Sequence, residues 1–256
     1  MSLQSTQISS STNPQYKIWK SLLTAKGIKE HGLFLLMGEK LISEYLDFPR
    51  LDFKIEGVLC VNLEERFKKF RQTQLSMDLF KELDVLGTHS PMLVLSCPEF
   101  EEMNFETAPK GLELVTPLGD PRNLGALTRT AVSFGVTQMI LTQESTHPLL
   151  PQSVKASSGA VIKMKFKKAR AKLSELPISG PNYALDLKGE NILQTKWPQN
   201  LRLWVGEEGP GLNLTPEQKK LIKMVHIPMS EMESLNAMVS TSLAIWEWRK
   251  QNATTT

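Results

Sequence analysis

Apolar positions along the chain follow two periods in turn. "PQYKIWKSLLTAKGI" and "DLFKELDVL" space them as amphipathic helices do, whereas "GLFLLMG", "KIEGVLCVN" and "PMLVLSC" are short apolar runs of strand type. Together they predict a small α/β unit over residues 14–99. "PEFEEMNFETAPKG" is acidic, aperiodic and punctuated by Pro and Gly, so residues 100–110 read as a linker. Beyond it, "GLELVTP", "TQMILTQ", "NYALDL", "LRLWVGE" and "KMVHIPM" are apolar runs separated by helical or loop segments. That alternation predicts an α/β domain over residues 111–250, a mostly parallel sheet covered by helices. Residues 1–13 are polar and Ser/Thr-rich, without the basic and apolar regions of a signal peptide, and read as a disordered tail. Residues 251–256 read as a second tail.

Composition narrows the class without naming a function. The 256 residues, 41% hydrophobic and 22% charged, suit one large or two small globular domains. Two cysteines, Cys60 and Cys97, make no disulfide framework and no metal-ligand spacing, so a reducing cytoplasm and no metal are expected. No apolar run approaches the ~20 residues that span a bilayer, so a soluble protein with no membrane partner is expected. The formal charge of +3 is unevenly placed: residues 1–110 carry 13 Lys and Arg against 15 Asp and Glu, and residues 111–256 carry 17 against 12. In that basic half, "KMKFKKARAK" alternates Lys163, Lys165 and Lys167 with Met164 and Phe166. As an extended segment it has one cationic face, suited either to a phosphate backbone or to guarding a sheet edge against pairing.

In open α/β sheets ligands bind beyond the carboxyl ends of the strands, so three loops matter most. The first, "TPLGDPRNLGALTRTAVSFGV", leads into a helix expected over 124–134, stopped by Gly135 and capped by Asn123. Arg129 shares that helix with Leu124, Ala126, Leu127, Ala131 and Val132, so its guanidinium must pair, snorkel or face a ligand. The second, "VGEEGPGLN", packs three glycines and a proline into six positions. It is neither a Walker loop nor a dinucleotide fingerprint, and Glu207 and Glu208 disfavour a phosphate, so it suits a ligand with donors or positive charge. The third, "IPMSEMESLN", sets Glu233, Ser234 and Asn236 at the start of an apolar helix. Ser234 fits as its cap, which leaves Asn236 without a structural task. Ala237, Ser240, Thr241 and Ala244 keep one side of that helix small.

In order and content the three loops resemble the motifs of the SpoU-type (SPOUT class, TrmH-like) RNA ribose 2′-O-methyltransferases. Asn123, Gly125, Arg129 and Ala131 match the first motif; Gly206, Glu208, Gly209, Gly211 and Leu212 the second; Ile227, Pro228, Met229, Ser234, Leu235 and Asn236 the third. The match extends over about 130 residues, and "ASSGA" at 156–160 is similar to a short element the family carries between its first two motifs. The resemblance implies a C-terminal SPOUT domain with a deep trefoil knot, an exception to the rule that chains do not thread their own loops. It implies S-adenosylmethionine as cofactor, held by Gly206, Ile227, Met229, Leu235, Leu185, Val205 and Gly211, with no metal. It also implies a homodimer, in which Arg129 of one subunit serves the cofactor of the other.

The reaction implied is methyl transfer to a ribose 2′-hydroxyl, a poor nucleophile whose proton must leave as it attacks. Arg129 is the implied catalytic residue, with Asn123, Glu208, Ser234 and Asn236 positioning ribose and guanidinium. An arginine pKa above 12 favours an orienting and electrostatic role over that of a free base. The sequence departs from the family at four points: the loop before Ser234 is one residue shorter, Glu231 stands where glycine is usual, Ala237–Met238 replace the more usual Val-Ser after Asn236, and Glu207 replaces a small polar residue.

"GLFLLMGEKLISEYL", with Phe34, Gly38 and Leu41 preceded by Lys26 and Lys29, resembles the L30e-like substrate-binding domain of rRNA-directed members. That implies RNA contacts at Lys26 and Lys29, with Lys163, Lys165 and Lys167 adding general affinity. Ribosomal RNA, 23S above all, is therefore expected before tRNA. A tRNA 2′-O-methyltransferase, or a knotted RNA-binding protein without catalysis, are the alternatives.

Overall fold

The computed structural model describes residues 5–207, 211–231 and 235–253. The chain divides into two compact units, Met1–Glu99 with His147–Gly159, and Phe100–Thr146 with Ala160–Thr256.

The first unit is built on β1 (Ser5–Ile8), α1 (Pro14–Ser21), α2 (Ala25–His31), β2 (Leu33–Met37), α3 (Glu39–Asp47), β3 (Ile55–Cys60), β4 (Gln72–Leu75), α4 (Met77–Leu83) and β5 (Met92–Ser96). Its sheet runs β1-β4-β3-β5-β2, parallel where β4 meets β1 and β3, antiparallel where β5 meets β3 and β2. Asn13 and Thr24 cap α1 and α2 by accepting backbone N–H bonds, the use to which short polar side chains are suited. Tyr16, Trp19 and Leu22 from the α1 region and Leu79, Phe80 and Leu83 from α4 form one core with β2 and β5. Residues 5–13 are not a disordered tail. β1 pairs in register with β4, Ser5 with Gln72 through Ile8 with Leu75, and Ile8 is 6% exposed in that core. Cys60 and Cys97 are free, their thiols pushed up to about 11 by burial, as structural rather than reactive cysteines are.

The second unit begins inside the expected linker, with β6 (Glu101–Glu102), and continues through β7 (Leu112–Thr116), α5 (Pro121–Ser133) and β8 (Gln138–Leu141). Residues 147–159 then belong to the first unit, where α6 (Pro151–Ala156) lies against β2. His147 is buried there, and desolvation, helped by the charge of Lys29, holds its imidazole down to about 4. The second unit resumes with α7 (Ala160–Lys163), β9 (Phe166–Lys168), β10 (Asn182–Asn191), β11 (Leu201–Trp204), α8 (Pro216–Leu221), β12 (Lys223–His226) and α9 (Ala237–Asn252). Its seven strands lie in the order β12-β10-β11-β7-β8-β9-β6, and every pairing is parallel.

Three expectations are corrected in this unit. Residues 100–110 are built into it: β6 pairs with β9, and Met103 and Phe105 enter its core. The fully buried Arg202 explains the anchoring. Its guanidinium donates to the carbonyls of Thr107 (2.6 Å) and Ser179 (3.1 Å) and, at 2.9 Å, to the Glu113 carboxylate, which also accepts from the Lys110 N–H. Residues 251 and 252 are not a tail either. They end α9, where Gln251 accepts from the Trp197 N–H and donates to the Thr195 carbonyl. The lysine stripe is not one extended face: Lys163 ends α7, Lys165 lies in the turn, and Lys167 sits in β9. Nor does β9 form the edge, since acidic β6 covers it, with Lys167 3.4 Å from Glu101.

Candidate active site

The carboxyl ends of β10, β11 and β12 and the start of α9 enclose a cavity of about 500 Å³, within the range usual for small-molecule sites. Each wall has a local cause. β10 slips register against β12 between Leu185 and Glu190, so that Leu185, Asp186 and Leu187 swing onto the cavity rim. Gly189 closes the bulge. A Cβ there would sit 2.4 Å from the Val225 nitrogen, so only glycine allows this approach. The Gly189 carbonyl is held by His226 Nδ1 at 2.9 Å.

After β11, Val205 is 1% exposed and donates its N–H to the Val115 carbonyl, which fixes it behind the wall rather than in it. Gly206 and Gly211 do line the cavity. The loop between them is closed at its neck by paired backbone bonds between Glu207 and Gly211, at 3.0 and 3.1 Å. A Cβ on Gly206 would come within 3.1 Å of the Gly211 carbonyl carbon, tighter than most side chains are packed, so a larger residue there would press on the neck. Glu208 lies outside the described residues.

Beyond β12, Ile227 and Met229 line the cavity, followed by Leu235 and Asn236 at the start of α9. Asn236, not Ser234, is the described cap of this helix, accepting from the Met238 and Val239 N–H groups at 2.9 and 3.2 Å. The asparagine that capping by Ser234 left unexplained therefore has a structural task of its own, worth about 1 kcal/mol at such positions. Ser234, with Glu233, lies outside the described residues.

The first loop is corrected in the same way. The helix begins at Pro121, and Asp120 is its cap, accepting from the Arg122 and Asn123 N–H groups. Asn123 is thus in the first turn and half-buried, relieved of the capping role. Arg129 points out of the apolar side of α5: it is exposed and forms no ion pair among the described residues. Neither residue lines the cavity. The two loops are nevertheless joined, because the Gly119 N–H donates to Glu207 Oε1 at 3.1 Å.

Of the residues expected to hold a cofactor, the cavity brings together Leu185, Gly206, Gly211, Ile227, Met229 and Leu235 and leaves Val205 out. It adds Leu212 from the second motif, and Asp186, Glu207, His226, Ser240 and Thr241, which the motif matches did not supply. Asp186 directly follows Leu185, at the register slip within β10, and only its place beside Leu185 pointed to it. Among the described residues no Lys or Arg lines the cavity and no cluster of His, Cys, Asp and Glu could hold a metal ion. No described helix is long and apolar enough to cross a membrane. Elsewhere, Lys26 and Lys29 are exposed on α2, and Lys163 and Lys165 are exposed beside buried Met164 and Phe166. Along α9 the small side is turned inward at Thr241 and Ala244, while Leu235, Val239, Leu243 and Trp246 are exposed.

Comparison with known proteins places this geometry in context. Residues 114–246 match the model of the SpoU rRNA Methylase family. A ribosomal RNA small subunit methyltransferase G 2 of Syntrophobacter fumaroxidans is 34% identical over 97% of this chain, which spans 50% of that relative's length. A 23S rRNA (guanosine(2553)-2′-O)-methyltransferase, RlmP of Bacillus subtilis, is 26% identical over 95% of this chain and 99% of its own. In fold, the chain is similar to an AdoMet-bound rRNA methyltransferase from Sinorhizobium meliloti, with a TM-score of 0.76 at 20% identity over 98% of this chain and all of that one.

Proposed function

Because the chain belongs to the SpoU rRNA Methylase family, we propose that it transfers a methyl group from S-adenosylmethionine to a ribose 2′-hydroxyl of structured RNA. Ribosomal RNA, 23S first, is the favoured substrate over tRNA. The observation that carries the reading is the cavity, in which the second and third motifs meet at the strand ends. Its lining suits the cofactor. Leu185, Leu212, Ile227 and Leu235 offer an apolar seat for a purine, and Asp186 and Glu207 favour hydroxyl donors and positive charge over a phosphate. When bound, S-adenosylmethionine supplies an electrophilic methyl group on a sulfonium, so no metal is assigned a part.

The chain's own residues then have separable tasks. Arg129, exposed on α5, presents its donors and charge to the RNA ribose and the adjoining phosphate, steering the 2′-oxygen. A guanidinium keeps its proton near neutral pH, so the hydroxyl proton passes to an RNA phosphate or to solvent rather than to Arg129. Asn123, one and a half turns before Arg129 on α5, orients the ribose with Asn236, Glu208 and Ser234 in supporting roles. Asn236 does so while capping α9.

The exposed stripe of Leu235, just before α9, and Val239, Leu243 and Trp246 on it supports a homodimer, with the Trp246 ring tilted against Phe134 at the end of α5, 5.4 Å between centroids. A second copy seated there brings its own Arg129 towards the cavity. We assign the first unit, with Lys26 and Lys29, to RNA recognition as an L30e-like domain, and Lys163, Lys165 and Lys167 to general affinity. The family's trefoil knot belongs to the same reading, as does a cytoplasmic location without membrane attachment. The rRNA named for both relatives above supports ribosomal RNA over tRNA.

Calorimetry tests the cofactor assignment. S-adenosylmethionine is expected to bind the purified chain in the presence of a chelator and in the absence of RNA. Binding that appears only with added metal, or none at all, would contradict it.

A further inference from the structure

We infer that Glu207 is a positioning residue for methyl transfer, tying the cofactor cavity to the helix that carries Asn123 and Arg129. The inference rests on the proposed reading and assigns a task to a residue at which this sequence departs from the family's second motif. Glu207 stands where the two halves of the site meet. Its backbone is fixed by the paired bonds to Gly211 that close the loop neck, and it lines the cavity. Its carboxylate reaches the loop before α5, 88 residues away in sequence, and accepts the Gly119 N–H at 3.1 Å.

The next residue, Asp120, caps α5, and Asn123 follows in its first turn. A charge-assisted bond at that point fixes where the helix begins, and a helix N-terminus favours a carboxylate beside it. Because α5 is a 13-residue rigid element, a shift at Gly119 is carried to Arg129. The charge that the sequence placed against the family pattern is therefore a brace between the cavity and the RNA side of the site.

Hydrogen exchange and kinetics test this together. In Glu207→Ala the amides of Leu118, Gly119, Asp120, Arg122 and Asn123 are expected to exchange at least tenfold faster than in the wild type, without cofactor present, while protection in β7 and β8 stays the same. With RNA and S-adenosylmethionine, kcat is expected to fall about tenfold, with a smaller change in the KM for RNA, as for loss of one hydrogen bond to a charged group. Glu207→Gln, whose amide oxygen still accepts from Gly119, is expected to restore both to within about threefold. Unchanged exchange at these amides in the alanine variant, or a glutamine variant as impaired as alanine, would overturn the inference. If the wild type methylates no RNA, the functional reading fails, yet the exchange result still judges the brace.

Discussion

Arg129→Ala is expected to lower methyl transfer by ~10²–10³-fold, the usual effect of removing one preorganised charged or hydrogen-bonding donor from a reaction centre. Cofactor affinity should stay within about twofold, because Arg129 does not line the cavity and takes no part in the walls built from β10, β11 and β12. Folding should be equally indifferent, since the side chain is exposed and forms no ion pair among the described residues. Surface substitutions of that kind usually stay within about 0.5 kcal/mol. Single-turnover rates and calorimetry on the same preparation separate the two effects. A variant that keeps more than a few per cent of the rate would remove Arg129 from the chemistry, and one that loses cofactor binding would place it in the pocket.

The second large effect concerns the fold that positions the site. Arg202→Met is expected to destabilise the second unit by about 3–5 kcal/mol, the range for breaking one side of a buried ion pair. The Arg202 side chain is 0% exposed and that of Glu113 4%, so the variant leaves a carboxylate without its partner in the core. The carbonyls of Thr107 and Ser179 lose their donor as well. Since the chain holds two units, the measurement should resolve two transitions in urea rather than assume one. Only that of the second unit should move, and Trp204 in its core reports on it. Replacing both partners, as Glu113→Leu with Arg202→Met, should recover a good part of the loss. A single variant less than 1 kcal/mol below wild type would show that residues 105–110 are held by something else.

The same arginine shows why the chain was only partly legible in its sequence. Short apolar-rich runs disclosed β7, β8 and β11, which are buried at every position, and the buried starts of β10 and of the segment around Val225 in β12. β1 and β6 had no such signal. "STQI" buries only Ile8, and "EE" is exposed throughout, so each is a strand by virtue of its partner. Residues 100–110 look like a linker for the same reason: their anchoring lies in main-chain carbonyls that accept from Arg202, and carbonyls leave no mark on composition. The passage of 147–159 into the first unit is a long-range choice that no local period encodes.

At the site, the motifs located the cavity but not its detail. Gly206, Gly211, Ile227 and Leu235 were identified through a resemblance, and all four line it. Asp186 and Glu207 were missed as site residues because the register slip of β10 and the reach of Glu207 to Gly119 are properties of the folded chain. The cap of α5 was misassigned although the signal was present. Asp followed by Pro is a helix start with the proline at the first helical position, and Asp120–Pro121 is that pair. Period two among Lys163, Lys165 and Lys167 holds for exposure only at Lys163 and Lys165 and fails for conformation, since a helix end and a strand meet there and Lys167 pairs with Glu101.

Nucleoside analysis of the methylated RNA tests the central claim most directly. Ribosomal RNA incubated with the purified chain and S-adenosylmethionine carrying an isotopically labelled methyl group should be digested to nucleosides and resolved by mass. The account predicts label in one 2′-O-methylnucleoside, on the ribose and absent from every base, and at most about a hundredth of that product in the same time from the Arg129→Ala variant. Label on a base, or equal ribose labelling by the two proteins, would contradict it.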